Sequence, residues 1–195
     1  VGQARTKPIV LDALEARADA AQVMVVALDR QLSSYWVAPG RFMAGAHPAF
    51  PGASVLPHTV KALLAQGIEC FVDLTESGEC TDYEHLLTEE RERTGRFLEY
   101  SRRSIPDMSV PSIERMNEVL DGIDAAHRLD RGVYLHCYGG LGRTGTVVGC
   151  HLVRHGLSGP EALDRLDLLR RSIASMLSPS PYTDEQRRFV QSWRR

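Results

Sequence analysis

The sequence predicts an α/β sandwich whose sheet is at least partly parallel, and three observations predict it. From residue 58 onward, short β-rich runs alternate with segments of helical periodicity. Glycines at 67, 95, 132 and 156 close those segments one after another. Helical patterning dominates the C-terminal third, so several helices are expected to pack on one face of the sheet. At 195 residues, and roughly 150 per typical domain, the chain has room for one such unit.

Residues 1–30 read as an N-terminal extension, and 31–195 as the folded domain. Within the extension Leu11, Leu14, Ala18, Ala21 and Val25 fit a helical stripe, while VMVVAL at 23–28 equally fits a buried strand. SYWV and RFMAG then form short strands around a Pro39–Gly40 turn. HTVKALLAQ is a helix ended by Gly67, and IECFVDL is a β-rich run behind it. EHLLTEERERT is a helix stopped by Gly95, and RFLEY is the next strand. Pro111 suits a first helical turn, and Ile113, Met116, Leu120, Ile123 and His127 then share one face. VYLH is a compact strand after Gly132. TGTVVGCHLVRH is an apolar helix closed by Gly156. The helix from Pro160 to 173 carries Ala162, Leu166, Leu169 and Ile173 on one face. Thr183 and Gln186 open the last helix at capping-box spacing.

Composition excludes several classes. An apolar fraction of 43% and a charged fraction of 25% rule out wholesale disorder and collagen-like repeats. Twenty-three Lys plus Arg against 25 Asp plus Glu, a net charge of −2, disfavours a dedicated nucleic-acid binder. No apolar run approaches the roughly 18 residues of a membrane span, so no membrane partner is expected. The N-terminal VGQARTKPIVLDALEARAD lacks the apolar region of a secretory signal. Four unevenly spaced cysteines point to reduced thiols, and the expected location is cytoplasmic.

The informative stretch is VYLHCYGGLGRTGT. Gly140, Gly142 and Gly145 spell the G-x-G-x-x-G dinucleotide fingerprint. That reading fails because the region near Asp164 is helical, where a second strand ending in an acidic residue should lie. A Walker loop fails for want of Gly-Lys-Ser/Thr. The alternative takes Cys137 and Arg143, which enclose five residues in H-C-x-x-x-x-x-R-T. This pattern resembles the signature of the cysteine-dependent protein tyrosine and dual-specificity phosphatases. HCYGGLGR is especially similar to the loop of the kinase-associated, cyclin-dependent kinase inhibitor 3-like members.

The spacing has its own physical reason. Five residues between a strand and a helix can curl so that the N–H groups of Tyr138, Gly139, Gly140, Leu141, Gly142 and Arg143 point inward at a phosphate. The glycines at 139, 140 and 142 are expected to supply positive φ angles and close approach. Cys137 at the base faces the helix N-terminus, which favours its thiolate. Arg143 brings a planar fork for two phosphoryl oxygens. The Thr144 hydroxyl can donate to the sulfur and help it leave. The resemblance implies that His136 tunes the cysteine rather than acting as a base, and that no metal or other cofactor is needed.

The resemblance also implies a general acid on a loop upstream. Asp107 follows Pro106 in RRSIPDMSVPS, 30 residues ahead of Cys137, and is the candidate over Asp121, Asp124 and Asp130 on the following helix or its end. Gln186 fits either a water-positioning role, as in tyrosine-specific relatives, or its capping box, with the cap favoured. Arg102 and Arg103 read as a solvated pair. Cys70, Cys80 and Cys150 read as structural thiols, and the His151/His155 pair as packing or solvent.

The fold implied is a central mixed sheet flanked by helices, with the signature loop between a strand and a helix. The function implied is a tyrosine or dual-specificity phosphoprotein phosphatase working through a cysteinyl-phosphate, with a phosphorylated protein or peptide as partner. The alternatives are a phosphatase of a phosphoinositide, RNA 5′-phosphate or small phosphoester, and a phosphoprotein-binding module with little turnover. Tyr138 and Leu141 stand where phosphoinositide-directed members often carry Lys.

Overall fold

The computed structural model describes residues 33–50, 52–171, 173 and 178–194. The extension 1–30, with its helical stripe and its 23–28 run, lies outside the described residues.

Five strands form one mixed sheet: β1 (Tyr35–Ala38), β2 (Phe42–Gly45), β3 (Ile68–Asp73), β4 (Glu99–Arg102) and β5 (Gly132–His136). Their order is β1-β2-β5-β3-β4, with β1 antiparallel to β2 and every other pair parallel. The period-2 alternation of side chains sorts the strands' apolar residues onto two faces. Phe42, Ala44, Cys70, Val72, Val133 and Leu135 face one core, and Met43, Phe71 and Tyr134 face the other.

A 3-10 turn (Ala53–Val55) leads into α1 (Leu56–Ala65), which covers the second face together with Leu87 of α2 (Glu84–Thr94). On the first face lie α3 (Ile113–Arg128), α4 (Gly142–Arg154), α5 (Gly159–Leu169) and α6 (Asp184–Ser192). Concentration of the C-terminal helices on one face is what the sequence predicts. Caps set the helix starts. Ser112 accepts from the Arg115 amide, and Ser158/Glu161 and Thr183/Gln186 each complete a capping box. Gly95 closes α2 in the left-handed conformation, φ 67°.

Several boundaries differ from the sequence reading. Pro111 lies ahead of the Ser112 cap rather than in the first turn of α3, because Ser112 and not proline caps that helix. The strand expected over 96–100 is β4, two or three residues later. Its pairing runs from Cys70↔Glu99 to Asp73↔Arg102, and Tyr100 and Arg102 both bond Asp73. Phe97 instead lies outside the strand with the Arg131 guanidinium 3.3 Å from its ring centre. The helix expected to reach 173 ends at Leu169, where i→i+3 bonds from Arg171 to Leu168 and from Ile173 to Arg170 tighten the chain into a turn. Ile173 is still buried against the core.

Leu166 is fully buried where α5 meets the sheet, so Leu166→Ala should cost about 2–5 kcal/mol. Loss of the α5 cap in Ser158→Ala should cost about 1 kcal/mol. Urea denaturation of the two variants beside wild type checks both.

Candidate active site

β5 is buried along its whole length, and the chain leaves it at His136 into the loop 137–141. That loop crosses the ends of β2 and β3 before entering α4. Its carbonyls are held from outside. The His47 amide donates to the Tyr138 carbonyl at 2.9 Å, and the Ser180 hydroxyl to the Leu141 carbonyl at 2.7 Å. The Gly145 amide also donates to Leu141, at 3.1 Å. Among the described residues, the amides of 138–143 have no protein acceptor. They and the N-terminus of α4 form an anion nest.

The glycines of the loop are not equivalent, which corrects the sequence reading. Gly140 alone among them has positive φ, 69°, and a Cβ there would lie 2.5 Å from the Gly45 carbonyl carbon. At Gly142 a Cβ would lie 2.9 Å from the end of the Gln186 side chain, a contact that displaces a side chain rather than backbone. Gly139 has open space around it and an ordinary backbone angle.

Cys137 lies at the base of the loop, 3% exposed. The Thr144 hydroxyl turns to the Gly45 carbonyl, at 3.5 Å, rather than to the sulfur as the sequence reading expects. That orientation follows from the close packing of α4's first turn against the end of β2.

His136 is wholly buried, so its ring cannot reach a substrate. Its Nε2 shares a 2.6 Å hydrogen bond with the Tyr83 hydroxyl, and its Nδ1 lies 3.4 Å from the Cys137 carbonyl. Burial lowers its pKa and keeps it neutral, which suits a hydrogen on Nδ1 and a Tyr83 hydroxyl donating to Nε2. His47 stands edge-on to it, ring centres 5.0 Å apart, and burial lowers its pKa to about 4. Asp73, paired with His136 across β3 and β5, is buried too. Burial alone would raise its pKa. It is nevertheless held below the ordinary carboxylate value, and because His136 is neutral the hydrogen bonds from Thr75 and Tyr100 account for that.

Arg143 is 2% exposed and placed from three sides. Glu79 takes both its Nη1 and Nη2 hydrogens, at 2.8 and 2.5 Å, and the Ile105 carbonyl takes Nη1 at 3.2 Å. The bond from Arg143 in turn lowers the Glu79 pKa. The Asp107 carboxylate lies 3.0 Å from Nη2. Arg143 Nε is buried with no protein partner, a donor left over for something the protein does not supply. Asp107 itself is exposed, on a turn closed by the Ser109 amide bonding the Pro106 carbonyl at 3.2 Å.

The other candidates separate cleanly. Asp121 and Asp124 bond Arg154, and Asp130 pairs with Arg41, so none of them shares the site with Asp107. Gln186 completes its cap, and its side-chain amide also donates to the Ser109 carbonyl at 3.0 Å, bracing the Asp107 turn. Arg102 is not a solvated residue but a partner of Asp73. All four cysteines are free, and burial pushes Cys70 and Cys80 up to about 11. Sequence reasoning missed Glu79, Asp73, Tyr83 and His47. No motif marks them, since each acquires its place only when its strand end or loop meets β5.

Two tests follow from this geometry. Gly140→Ala should abolish binding of vanadate to the loop while Gly139→Ala retains it, as read by calorimetry. Stability should be fully present above pH 6.5, the ordinary histidine value, and fall toward pH 4 as the unfolded chain takes up protons that folded His47 and His136 refuse. Asp73 extends the loss below pH 3.8, because its folded form holds its proton less tightly than the unfolded one. Urea midpoints at pH 7.5, 5.5 and 4 check the sign.

Comparison with known proteins agrees with this geometry. The family model described as "Tc-R-P: Polymorphic toxin system, DSP-PTPase phosphatase" matches residues 49–157. The mouse dual specificity protein phosphatase CDC14B is 40% identical over 50 residues, 26% of this chain and 10% of that protein. Cyclin-dependent kinase inhibitor 3 of Sus scrofa is 36% identical over 70 residues, 35% of this chain and 33% of its own. The chain thus spans a third or less of the curated relatives it matches. The crystal structure of Tk-PTP in the active form superposes with a TM-score of 0.62 at 28% identity, over 82% of this chain and 94% of that one. Kinase associated phosphatase shares the fold at a TM-score of 0.61 and 23% identity, over 76% and 83% of the two chains. With its family model covering Cys137, Arg143, Asp107 and strands β3 to β5, the chain belongs to the DSP-PTPase phosphatases of polymorphic toxin systems.

Proposed function

We propose that the protein is a cysteine-dependent phosphoprotein phosphatase of the tyrosine or dual-specificity kind, with residues 31–195 as its catalytic unit. The observation that carries this reading is the buried, unpartnered Arg143 Nε beside a loop of unpartnered amides, with Cys137 at its base. An anion with several acceptor oxygens matches such a set of donors.

In the first step the Cys137 thiolate attacks phosphorus and the bond to the leaving oxygen breaks, while the amides of 138–143 and Arg143 hold the equatorial oxygens. Asp107 gives its proton to the leaving oxygen. The incoming phosphate competes with Asp107 for the same guanidinium edge, so binding frees the acid for its task. In the second step Asp107 takes a proton from water, whose oxygen attacks phosphorus, and the P–S bond breaks to return the thiolate and inorganic phosphate. His136 acts through the Cys137 backbone, and Glu79 acts by fixing Arg143.

The leaving group lies in a cleft of about 220 Å³ lined by His47, Phe50, Glu79, Thr81 and Tyr138. Tyr138 and Phe50 meet edge to face, ring centres 5.7 Å apart, and Tyr138 is half exposed at the rim. An aromatic rim supports an aryl phosphate such as a phosphotyrosine side chain. The net charge of −2 supports protein over nucleic-acid substrates, and the free thiols support action in a reducing cytoplasm. The family's polymorphic-toxin description supports an effector role for the activity.

Hydrolysis of p-nitrophenyl phosphate without added metal tests the reading. Wild type should turn over, and Cys137→Ser should lose turnover while still binding vanadate or a phosphotyrosine peptide. Asp107→Asn should lower kcat about 10²–10⁴-fold. Glu79→Gln should raise KM as well as lower kcat, because Arg143 loses its anchor. Equal turnover in wild type and Cys137→Ser would overturn the mechanism, and binding without turnover in wild type would favour a phosphoprotein-binding module.

A further inference from the structure

α4 carries the phosphate loop at one end and a second chemical cluster at the other. His151 and His155 lie one turn apart near its C-terminus, rings 4.3 Å between centres, and α3 brings Asp124 against them. One ligand-type atom from each of the three lies within 4.8 Å of the others. His155 Nε2 is 3.0 Å from Asp124 Oδ1, while Asp124 Oδ2 is occupied by Arg154 at 3.2 Å. His151 is 7% exposed, and its Nδ1 is buried with no hydrogen-bond partner. A buried polar nitrogen without a partner calls for an explanation, and a bound ion supplies one.

We propose that Asp124, His151 and His155 form a binding site for one divalent cation of the zinc class. Two imidazoles and one carboxylate suit zinc at about 2.0–2.2 Å, with water completing a tetrahedron. Tetrahedral ligands at those lengths stand roughly 3.4 Å apart, so the site must contract slightly around an ion. His155, half exposed on the last turn, is the side chain free to do so. The ion takes the place of the hydrogen between His155 Nε2 and Asp124 Oδ1, and the neutral ring then carries its hydrogen on Nδ1. His151 offers the site a buried nitrogen that no protein group occupies. His127, its ring centre 6.0 Å from that of His151, and Phe42 at 4.9 Å form the wall behind the site. Arg154, also held by Asp121 and Asn117, is the one nearby positive charge that opposes the ion among the described residues. Such an ion clamps α3 to α4 and is independent of the phosphatase reading.

The test uses the Cys137→Ser protein, so that the signature thiol cannot capture the metal. Calorimetry with Zn²⁺ should give one ion per chain, and Zn²⁺ at 100 times its Kd should raise Tm by about 5 °C. His155→Ala and Asp124→Asn, each added to that background, should weaken binding about 10–100-fold or more. Co²⁺ substitution should give a visible spectrum without thiolate-to-cobalt charge transfer. Binding that survives both substitutions, absence of a bound ion, or a thiolate spectrum that disappears with Cys80→Ser would each overturn the proposal. Because His155 and Asp124 are not core residues, both variants are expected to fold, and circular dichroism confirms that before titration.

Discussion

A loop that keeps its amide hydrogens free for an anion cannot be held by those hydrogens, so everything that shapes it has to act from outside. Here its carbonyls are tied outward instead, by the His47 amide, the Ser180 hydroxyl and the Gly145 amide. That requirement explains why β5 sits in the middle of the sheet. Only a central strand has a neighbour on each side to contribute, with Gly45 to His47 following β2 and Leu74 to Glu79 following β3. The Leu74 amide bonds the His136 carbonyl at 2.9 Å, and the Gly45 backbone packs directly on Gly140.

The charges around the loop are arranged so that positive potential is concentrated on one group. The imidazoles beneath it are kept neutral by burial, and Asp73 spends its charge on Thr75, Tyr100 and Arg102. That leaves Arg143, whose guanidinium is half satisfied by Glu79 and touched by the exposed Asp107. A guanidinium fully paired in the folded state would have nothing to offer an anion. One with no partner at all would be costly to bury. Glu79 takes one edge and leaves Nε, which resolves that conflict.

The acid turn is integrated with the same frame rather than hung from it. Ile105, fully buried, anchors its start and lends its carbonyl to Arg143, while Gln186 on the last helix grips it at Ser109 and packs against Gly142. A single glutamine thus links the helix cap, the 137–141 loop and the Asp107 turn. At the far end of α4, the histidine cluster meets α3 and leaves the chemistry at Cys137 untouched.

Local patterns in the chain were enough to determine the alternation of strands and helices, the Thr183–Gln186 capping box, and the pairing of Cys137 with Arg143 across five residues. Each of these is set by spacing along the chain, so periodicity and motif carry it. The position of Asp107 was legible as a turn after proline, and its proximity to Arg143 was not. Glu79, Asp73, Tyr83 and His47 were invisible for the same reason that Gly140 could not be told from Gly139. Their roles arise from contacts between strand ends far apart in sequence, 64 residues from Glu79 to Arg143 and 53 from Tyr83 to His136. Tertiary structure alone decided them, because burial and hydrogen bonding depend on which loops the sheet order brings together, and no residue records that order locally.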